Sequence, residues 1–239
     1  MNPRAAGAWL VHAFTASGAV LAFLALLAVE RQDWVMALVW LLIALVVDGV
    51  DGSFARWAQV KELAPRVDGD VMDLVIDYLN YVFVPALLIL RAELVPEALA
   101  IPLVSLILIS ALYCFARSDM KSDDNYFRGF PALWNVVAFY LLVMEADPVV
   151  GAVVVIVLAV LTFAPVHFIH PFRVREYGSL PPILAFLWLA STGALLWTRW
   201  GDGARFALVS CSIATAAILV GLGLLRTARG WRGRSRKNL

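Results

Sequence analysis

Four aspartates are the first candidates for chemistry, because each lies in a stretch that is otherwise apolar. Asp48 and Asp51 are three residues apart in one stretch. Asp73 and Asp77 are four residues apart in the next one. On helices, both spacings place the two carboxylates on one face. A carboxylate at membrane depth costs about 2.5–3.5 kcal/mol, so two spaced pairs indicate a functional site rather than helix ends that are simply in water.

The chemistry that suits these residues is metal-assisted transfer of a phosphate-linked group. Four converging carboxylates repel one another unless a cation lies among them, and hard oxygen ligands suit Mg²⁺ or Mn²⁺. Divalent metal neutralises a diphosphate during transfer. Gly52, Ala55 and Gly69 would let a bulky nucleotide lie close to the helix backbones. Arg56 follows Ala55 directly and is placed to meet a phosphate or to pair with an acid.

Membrane helices are needed to position these residues. Of the 239 residues, 62% are hydrophobic and 15% are charged, against about 25% charged in soluble domains. Mean hydropathy is +0.84. These values exclude a soluble globular enzyme, a disordered chain and a disulfide scaffold. We predict an all-α integral membrane protein, a single catalytic domain over residues 1–239, with eight transmembrane helices. These are Trp9–Val29, Trp34–Ala58, Asp68–Leu90, Val95–Ala116, Gly129–Glu145, Val149–Phe168, Pro181–Thr198 and Arg205–Arg226.

The distribution of Lys and Arg predicts the orientation. With eight spans and a cytoplasmic N-terminus, 15 of the 19 basic residues lie inside, as the positive-inside rule requires. The four outside are Arg31, Arg91, Arg199 and Arg205. The tail over residues 226–239 contributes Arg226, Arg229, Arg232, Arg234, Arg236 and Lys237. We therefore expect both termini in the cytoplasm, with the tail against anionic lipid headgroups. We expect the tail to act as a topology anchor rather than as a site that recognises a specific lipid.

The full pattern resembles the signature of a known enzyme family. It reads Asp48-x2-Asp51-Gly52-x2-Ala55-Arg56-x12-Gly69-x3-Asp73-x3-Asp77. This resembles the CDP-alcohol phosphotransferases, membrane enzymes that displace CMP from a CDP-linked substrate with an alcohol. The gap of twelve residues after Arg56 is longer than the commonest version and is similar to the bacterial phosphatidylcholine synthases, as is the stretch from Asp124 to Asn135. The resemblance covers essentially the whole chain.

The resemblance implies the reaction and its participants. It implies transfer of the phosphatidyl group of CDP-diacylglycerol to choline, with release of CMP, at the cytoplasmic side of a bacterial inner membrane. Asp48, Asp51 and Asp73 would bind Mn²⁺ or Mg²⁺, and Asp77 would contribute to the metal site and act as the base. The implied nucleotide contacts are Thr15, Ser17, Gly52, Ala55, Arg56 and Gly69. For the two hydroxyls, hydrogen bonds back to helix carbonyls are an equal alternative. The resemblance also implies a homodimer among membrane lipids and no nucleic acid partner.

Recognition of choline needs aromatic faces, because a quaternary ammonium has no N–H with which to donate a hydrogen bond. The candidates near the cytoplasmic helix ends are Tyr78, Tyr81, Tyr126, Phe127, Trp134 and Tyr177. Each residue taken alone is more typical of packing or of an interfacial belt. The loop cations Arg117, Lys121 and Arg128 are candidates to hold the lipid phosphate, although a topology signal explains them equally.

Other interpretations stay open. An acceptor such as serine, inositol phosphate or glycerol phosphate would keep the mechanism. An anionic acceptor, however, favours Arg or Lys beside Asp77, where the sequence has Tyr78-Leu79-Asn80-Tyr81. A transporter predicts acids in both halves of the chain and an internal repeat, which the sequence lacks. The pattern leaves the roles of Asp68 and Asp70 open, and for Asp70 it favours a position behind the metal ligands or at the level of the lipid headgroups. We expect His12, His167 and His170 to be packing residues.

Overall fold

The computed structural model describes residues 3–197 and 201–235 and is mostly helical. The helices are α1 (Pro3–Glu30), α2 (Trp34–Trp57), α3 (Val60–Leu63), α4 (Gly69–Asp77), a π-helix (Tyr78–Phe83), α5 (Val84–Arg91), α6 (Glu97–Ala116), α7 (Trp134–Val143), α8 (Pro148–Phe163), α9 (Leu180–Trp197) and α10 (Asp202–Ser235). Two short strands are β1 (Phe127–Arg128) and β2 (His167–Phe168). Three basic residues of the predicted topology, Arg199, Arg236 and Lys237, lie outside the described residues, as do the side chains of Arg232 and Arg234.

Six helical segments among the described residues are long and apolar enough to cross a membrane. They are Arg4–Glu30, Trp34–Trp57, Gly69–Arg91, Glu97–Ala116, Leu180–Trp197 and Asp202–Gly230. The apolar helices α7 and α8 are shorter, with 10 and 16 residues. The protein is therefore a multi-pass membrane protein with six candidate spans by length and composition.

The chain forms two compact units, of which the first comprises Met1–Phe115 and Ala132–Ile156. In this unit α1 packs along α2 and also contacts α3, α4 and α5. Small side chains such as Ala22 and Ala25 on α1 and Ala37 on α2 are buried, which lets helices approach closely. At Gly18 a Cβ would overlap the side chain of Ile76, so the glycine permits contact between α1 and α4.

The segment from Gly69 to Arg91 changes its helical geometry in the middle. In the π-helix, the Val84 N–H donates to the carbonyl of Leu79, five residues back. Pro85 explains this change, because it has no N–H to donate and in an α-helix its ring would clash with the carbonyl of Tyr81. The apolar pattern predicted one uninterrupted helix here, so the π-helix is a correction. Its signal, Pro85, is visible in the sequence.

The second unit comprises Ala116–Pro131 and Val157–Leu239. Within it α9 packs on α10, and α10 contacts β2. The two strands pair antiparallel, with Phe127 opposite Phe168 and Arg128 opposite His167. A Cβ at Gly129, where φ is 83°, would overlap the backbone of Thr162, so the chain turns at this point.

These features correct several predicted boundaries. The fifth apolar helix begins at Trp134 rather than at Gly129, because the turn at Gly129 and a positive φ of 56° at Ala132 precede it. The sixth ends at Phe163 rather than at Phe168, since the residues beyond it form β2. The last helix, α10, continues through much of the basic segment that was predicted as a tail.

Candidate active site

Three of the four signature aspartates meet at one place in the first unit. Asp48 lies on α2, and Asp73 and Asp77 lie one turn apart on α4. One carboxylate oxygen of each lies within 4.8 Å of the other two. Because α1 contacts both α2 and α4, it holds the two acid-bearing helices beside each other. The structure thus brings residues separated by 25 positions or more into one cluster.

A small cavity, partly open to solvent, adjoins this cluster. Asp51 lines the same cavity, although it is not a member of the three-carboxylate group. Its side chain is buried, and the Thr15 hydroxyl on α1 is its hydrogen-bond donor. The full lining is Thr15, Gly18, Ala44, Val47, Asp48, Asp51, Asp73, Ile76, Asp77, Asn80 and Tyr81.

The donor set fits a divalent cation. Ionised carboxylates this close repel one another by about 3 kcal/mol per pair at an effective dielectric constant of about 20. The sum over three pairs is comparable with the total stability of a domain, about 5–15 kcal/mol. Among the described residues that line the cavity there is no lysine or arginine. All the acidic donors are hard oxygen atoms, the ligands that Mg²⁺ and Mn²⁺ prefer.

Two polar residues of the cavity were not identified for this role from the sequence. The Tyr81 hydroxyl donates to Oδ2 of Asp48 at 2.6 Å, and the tyrosine is 6% exposed. The Asn80 amide donates to the Gly18 carbonyl at 3.0 Å and to the Ile76 carbonyl at 3.1 Å. Asn80 therefore joins α4 to α1 at the floor of the site. The only sequence signal for either residue is its polarity within an apolar segment.

The small residues of the signature lie near the end of α2 and the start of α4. Gly52 has the Arg56 guanidinium as its nearest neighbour, 3.5 Å from where a Cβ would lie. Arg56 donates to the Ser53 hydroxyl at 3.0 Å and forms no described ion pair with an acid. Ala55 packs against the cluster formed by Ala8, Val60 and Ala64 on α1, α3 and the following loop. None of these three signature residues lines the acid cavity itself.

Gly69 lies against His12 of α1. A Cβ at Gly69 would lie 3.3 Å from Cε1 of the imidazole, so the glycine leaves room for this ring. His12 is 6% exposed, and its Nε2 has no hydrogen-bond partner among the described residues. From the sequence, His12 is expected to be a packing residue. The structure agrees that it is buried but leaves one of its ring nitrogens unsatisfied.

Other polar residues of this region have structural partners. The Ser17 hydroxyl donates to the Phe14 carbonyl at 2.6 Å, which is the helix-internal alternative considered above. Asp68 caps α4, because its Oδ1 accepts from the backbone N–H groups of Asp70 and Val71. Asp70 is exposed and pairs with Lys61 at 2.6 Å. These two acids therefore lie outside the carboxylate cluster.

The aromatic residues considered for choline divide between the two units. In the first unit Tyr78 donates to the Leu108 carbonyl at 3.0 Å and packs edge-on against Phe115. Trp134 is fully buried at the start of α7. Of the candidates, Tyr81 alone lines the acid cavity among the described residues.

The remaining aromatic candidates belong to the second unit. Tyr126 is 1% exposed, donates to Oε2 of Glu176 at 2.9 Å, and has the Arg226 guanidinium 5.9 Å from its ring centroid. Burial and the bond to Glu176 raise the pKa of Tyr126. Tyr177 packs against the buried cluster formed by Tyr126, Ile169, Val174 and Leu222. Phe127 stacks on His170, whose pKa is lowered to about 4 by burial and by nearby Lys121 and Arg173.

The loop cations considered for the lipid phosphate also lie in the second unit. Arg117 and Arg128 both bind the Asp119 carboxylate, at 2.7 and 3.3 Å. The Lys121 ammonium lies 5.2 Å from the Phe127 ring centroid. The hydrogen bond from Arg117 holds the pKa of Asp119 at about 2, below its ordinary value of 3.8.

Comparison with known proteins agrees with the site. The profile of the CDP-alcohol phosphatidyltransferase family matches residues 10–165, a range that contains all four signature aspartates. The chain belongs to this family, which confirms the resemblance seen in the sequence. Within the family, the chain is similar to proteins named phosphatidylcholine synthase.

Three of these relatives illustrate the similarity. The protein of Pseudomonas aeruginosa is 49% identical over 228 residues, 95% of each chain. The protein of Bradyrhizobium diazoefficiens is 44% identical over 218 residues, which is 90% of this chain and 81% of the relative. The protein of Borreliella burgdorferi is 36% identical over 169 residues, which is 71% of this chain and 72% of the relative. The similarity therefore extends well beyond the signature.

Proposed function

We propose that this protein is a phosphatidylcholine synthase, which transfers the phosphatidyl group of CDP-diacylglycerol to choline and releases CMP. The observation that carries the proposal is the carboxylate cluster of Asp48, Asp73 and Asp77 in a membrane helix bundle of this family. The similarity of up to 49% to phosphatidylcholine synthases supports the choice of acceptor.

Asp77 acts as the base in the proposed reaction. The choline hydroxyl gives its proton to the Asp77 carboxylate while its oxygen attacks the phosphorus that carries diacylglycerol. The bond from this phosphorus to the bridging oxygen breaks, and CMP leaves with that oxygen. Asp77 suits this role because it faces the cavity and belongs to the carboxylate cluster.

Asp48, Asp51 and Asp73 hold the metal, to which Asp77 also contributes. We propose Mn²⁺ or Mg²⁺, since all four residues offer carboxylate oxygens to one cavity. When bound, the metal neutralises the diphosphate and stabilises the departing CMP. Thr15 positions Asp51 from α1 and borders the nucleotide. Gly52, Ala55, Arg56 and Gly69, at adjacent ends of α2 and α4, complete the nucleotide side of the site.

The polarity of the cavity supports choline over a phosphorylated acceptor. Inositol phosphate and glycerol phosphate carry anionic groups that need cationic partners. The described lining includes four aspartates and neither lysine nor arginine. An excess of negative charge instead attracts the quaternary ammonium of choline.

We propose that the catalytic domain spans the whole chain, with both termini in the cytoplasm of a bacterium and the site at the cytoplasmic face of its inner membrane. The shorter apolar helices α7 and α8 add two crossings to the six candidate spans. The family match over residues 10–165 includes parts of both compact units, which supports a single functional domain. The functional form is a homodimer, as the family resemblance implies.

A panel of acceptor alcohols tests the proposal. Purified protein in detergent receives Mn²⁺, CDP-diacylglycerol and, separately, choline, serine, inositol phosphate or glycerol phosphate. We expect CMP release with choline only. Release with another alcohol would keep the mechanism and replace the acceptor. An absence of CMP release with every alcohol would contradict the transferase and favour a transporter that uses its intramembrane acids for an ion.

A further inference from the structure

Tyr81 makes the shortest described hydrogen bond to the carboxylate cluster. Its hydroxyl lies 2.6 Å from Oδ2 of Asp48, on the neighbouring helix. The tyrosine is 6% exposed, so water does not compete freely for this bond. One oxygen of Asp48 thus has a fixed donor, and the carboxylate plane is restrained.

The π-helix accounts for the position of Tyr81. In an α-helix, the directions of two residues that are four positions apart differ by about 40° around the helix axis. Asp73 and Asp77 show this difference on α4, and a further α-helical turn would move position 81 away from their face. Each residue of the wider π turn advances by a smaller angle. The turn at Tyr78–Phe83 therefore carries Tyr81 back toward the face of Asp73, where it lines the cavity.

We propose that Tyr81 is a positioning residue, which orients Asp48 for metal binding through its hydrogen bond to Oδ2. This inference rests on the proposed metal site. The Tyr81 hydroxyl binds Oδ2 and so restrains the carboxylate of Asp48 beside those of Asp73 and Asp77. Partners of this kind commonly change metal affinity by 10- to 100-fold when they are removed. The role differs from the choline contact considered from the sequence, because it precedes any binding of substrate.

Tyr81→Phe tests the proposal, since it removes the hydroxyl and keeps the ring. Purified protein in detergent, without lipid substrate or choline, is titrated with Mn²⁺, and free Mn²⁺ is followed by electron paramagnetic resonance. We expect the dissociation constant to rise about tenfold. In the assay of CMP release, the half-saturating Mn²⁺ concentration should rise by a similar factor, and excess Mn²⁺ should restore most of the turnover.

Tyr78→Phe is the matched control for the binding measurement. It removes a hydroxyl from the same π-helix, but that hydroxyl donates to the Leu108 carbonyl rather than to an acid. We expect it to bind Mn²⁺ as the wild type does. Equal Mn²⁺ affinity in Tyr81→Phe and the wild type would overturn the proposal. An equal loss in both variants would also overturn it, because the effect would then belong to the π-helix and not to Asp48.

The binding measurement separates this inference from the proposed reaction. If Mn²⁺ binds the wild type and Tyr81→Phe weakens it, the positioning role holds whichever alcohol is the acceptor. If the wild type binds no Mn²⁺ and also releases no CMP, the metal site itself is wrong, and the role of Tyr81 fails with it.

Discussion

The acids of the cavity in the first unit and the loop acids of the second unit differ in their partners. In the second unit, acids pair with arginines: Asp119 with Arg117 and Arg128, Asp124 with Arg226, and Glu176 with Arg229. In the first unit, by contrast, Asp48, Asp51 and Asp77 form no ion pair with a lysine or arginine among the described residues, although they are gathered in one cavity.

This difference separates structural acids from acids that need an external cation. An arginine beside an acid satisfies the charge permanently and fixes a loop to a helix, as Arg226 does with Asp124 over 102 residues. In such a pair the arginine already balances the charge of the carboxylate, so no oxygen with its full negative charge is left for a metal ion. The first unit instead supplies hydroxyl donors, from Tyr81 and Thr15, that orient carboxylates without neutralising them. This arrangement fits the proposed metal site, in which a cation from solution neutralises these charges.

The largest effect that tests the comparison is on turnover. Asp77→Asn removes the base and a metal contact, so CMP release should fall at least about 1,000-fold. Binding of CDP-diacylglycerol, measured by calorimetric titration in detergent with Mn²⁺, should remain largely intact. The matched variant in the second unit, Asp119→Asn, should keep turnover within about threefold, because it disturbs an exposed ion pair. Near-normal turnover in Asp77→Asn would remove it from the role of base.

An effect of intermediate size concerns stability, and its sign should differ between the units. Without divalent metal, Asp48→Asn relieves repulsion within the cluster and should stabilise the protein by about 1–3 kcal/mol. Asp124→Asn loses a salt bridge to Arg226 and should destabilise it by at most about 1 kcal/mol, since the pair is partly exposed. Thermal unfolding in detergent with EDTA measures both changes.

Addition of Mn²⁺ provides the control for that pair of variants. The metal should raise the unfolding temperature of the wild type and of Asp124→Asn by similar amounts, and that of Asp48→Asn by less, because a ligand is missing. Destabilisation by Asp48→Asn in EDTA would show that its carboxylate is already neutralised within the chain, and the contrast between the units would disappear.

The smallest expected effect is a pH dependence in the second unit. The pKa of Asp119 is lowered to about 2, chiefly by the hydrogen bond from Arg117. A carboxyl whose pKa is lower in the folded state stabilises the fold above its unfolded pKa of about 4, and this contribution disappears as the pH falls toward 2. The difference in unfolding temperature between wild type and Asp119→Asn should therefore be constant above pH 5 and shrink from about pH 4 to 2. A difference independent of pH would contradict the assignment.

The periodicity and spacing of residues in the sequence predicted the helices more accurately than they predicted the contacts between helices. Each of the eight predicted apolar runs contains a helix, although six helical segments among the described residues are candidate spans. Asp73 and Asp77 lie one turn apart on α4, as their spacing predicted. Both depend on local geometry, which a helix imposes on any sequence of suitable polarity. The residues between the predicted helices Trp34–Ala58 and Asp68–Leu90 were expected to form only a connection, yet they contain α3, whose Val60 packs against Ala55.

The parts that were missed depend on contacts between distant residues. The bond between Tyr81 and Asp48 spans 33 positions, and no local pattern indicates which polar side chain of one helix will reach the next. The predicted start of α7 was too early, because the chain turns at Gly129 against the backbone of Thr162, 33 residues further along the sequence. The π-helix is the exception among the missed features, because the effect of Pro85 on the preceding turn follows from local stereochemistry alone.

The π-helix has a consequence for which changes of length the protein tolerates. A single residue added to or removed from a helix rotates everything beyond it by about 100°. The segment Tyr78–Phe83 already accommodates a local departure from α-helical winding, and beyond it α5 buries Leu88 and Ile89. Because the wider turn holds about one residue more than an α-helix needs, deleting one residue there would restore regular winding and keep Leu88 and Ile89 facing the bundle. The packing of α5 should therefore tolerate loss of one residue between Tyr78 and Phe83, whereas a deletion within α5 before Leu88 would turn Leu88 and Ile89 away from the bundle.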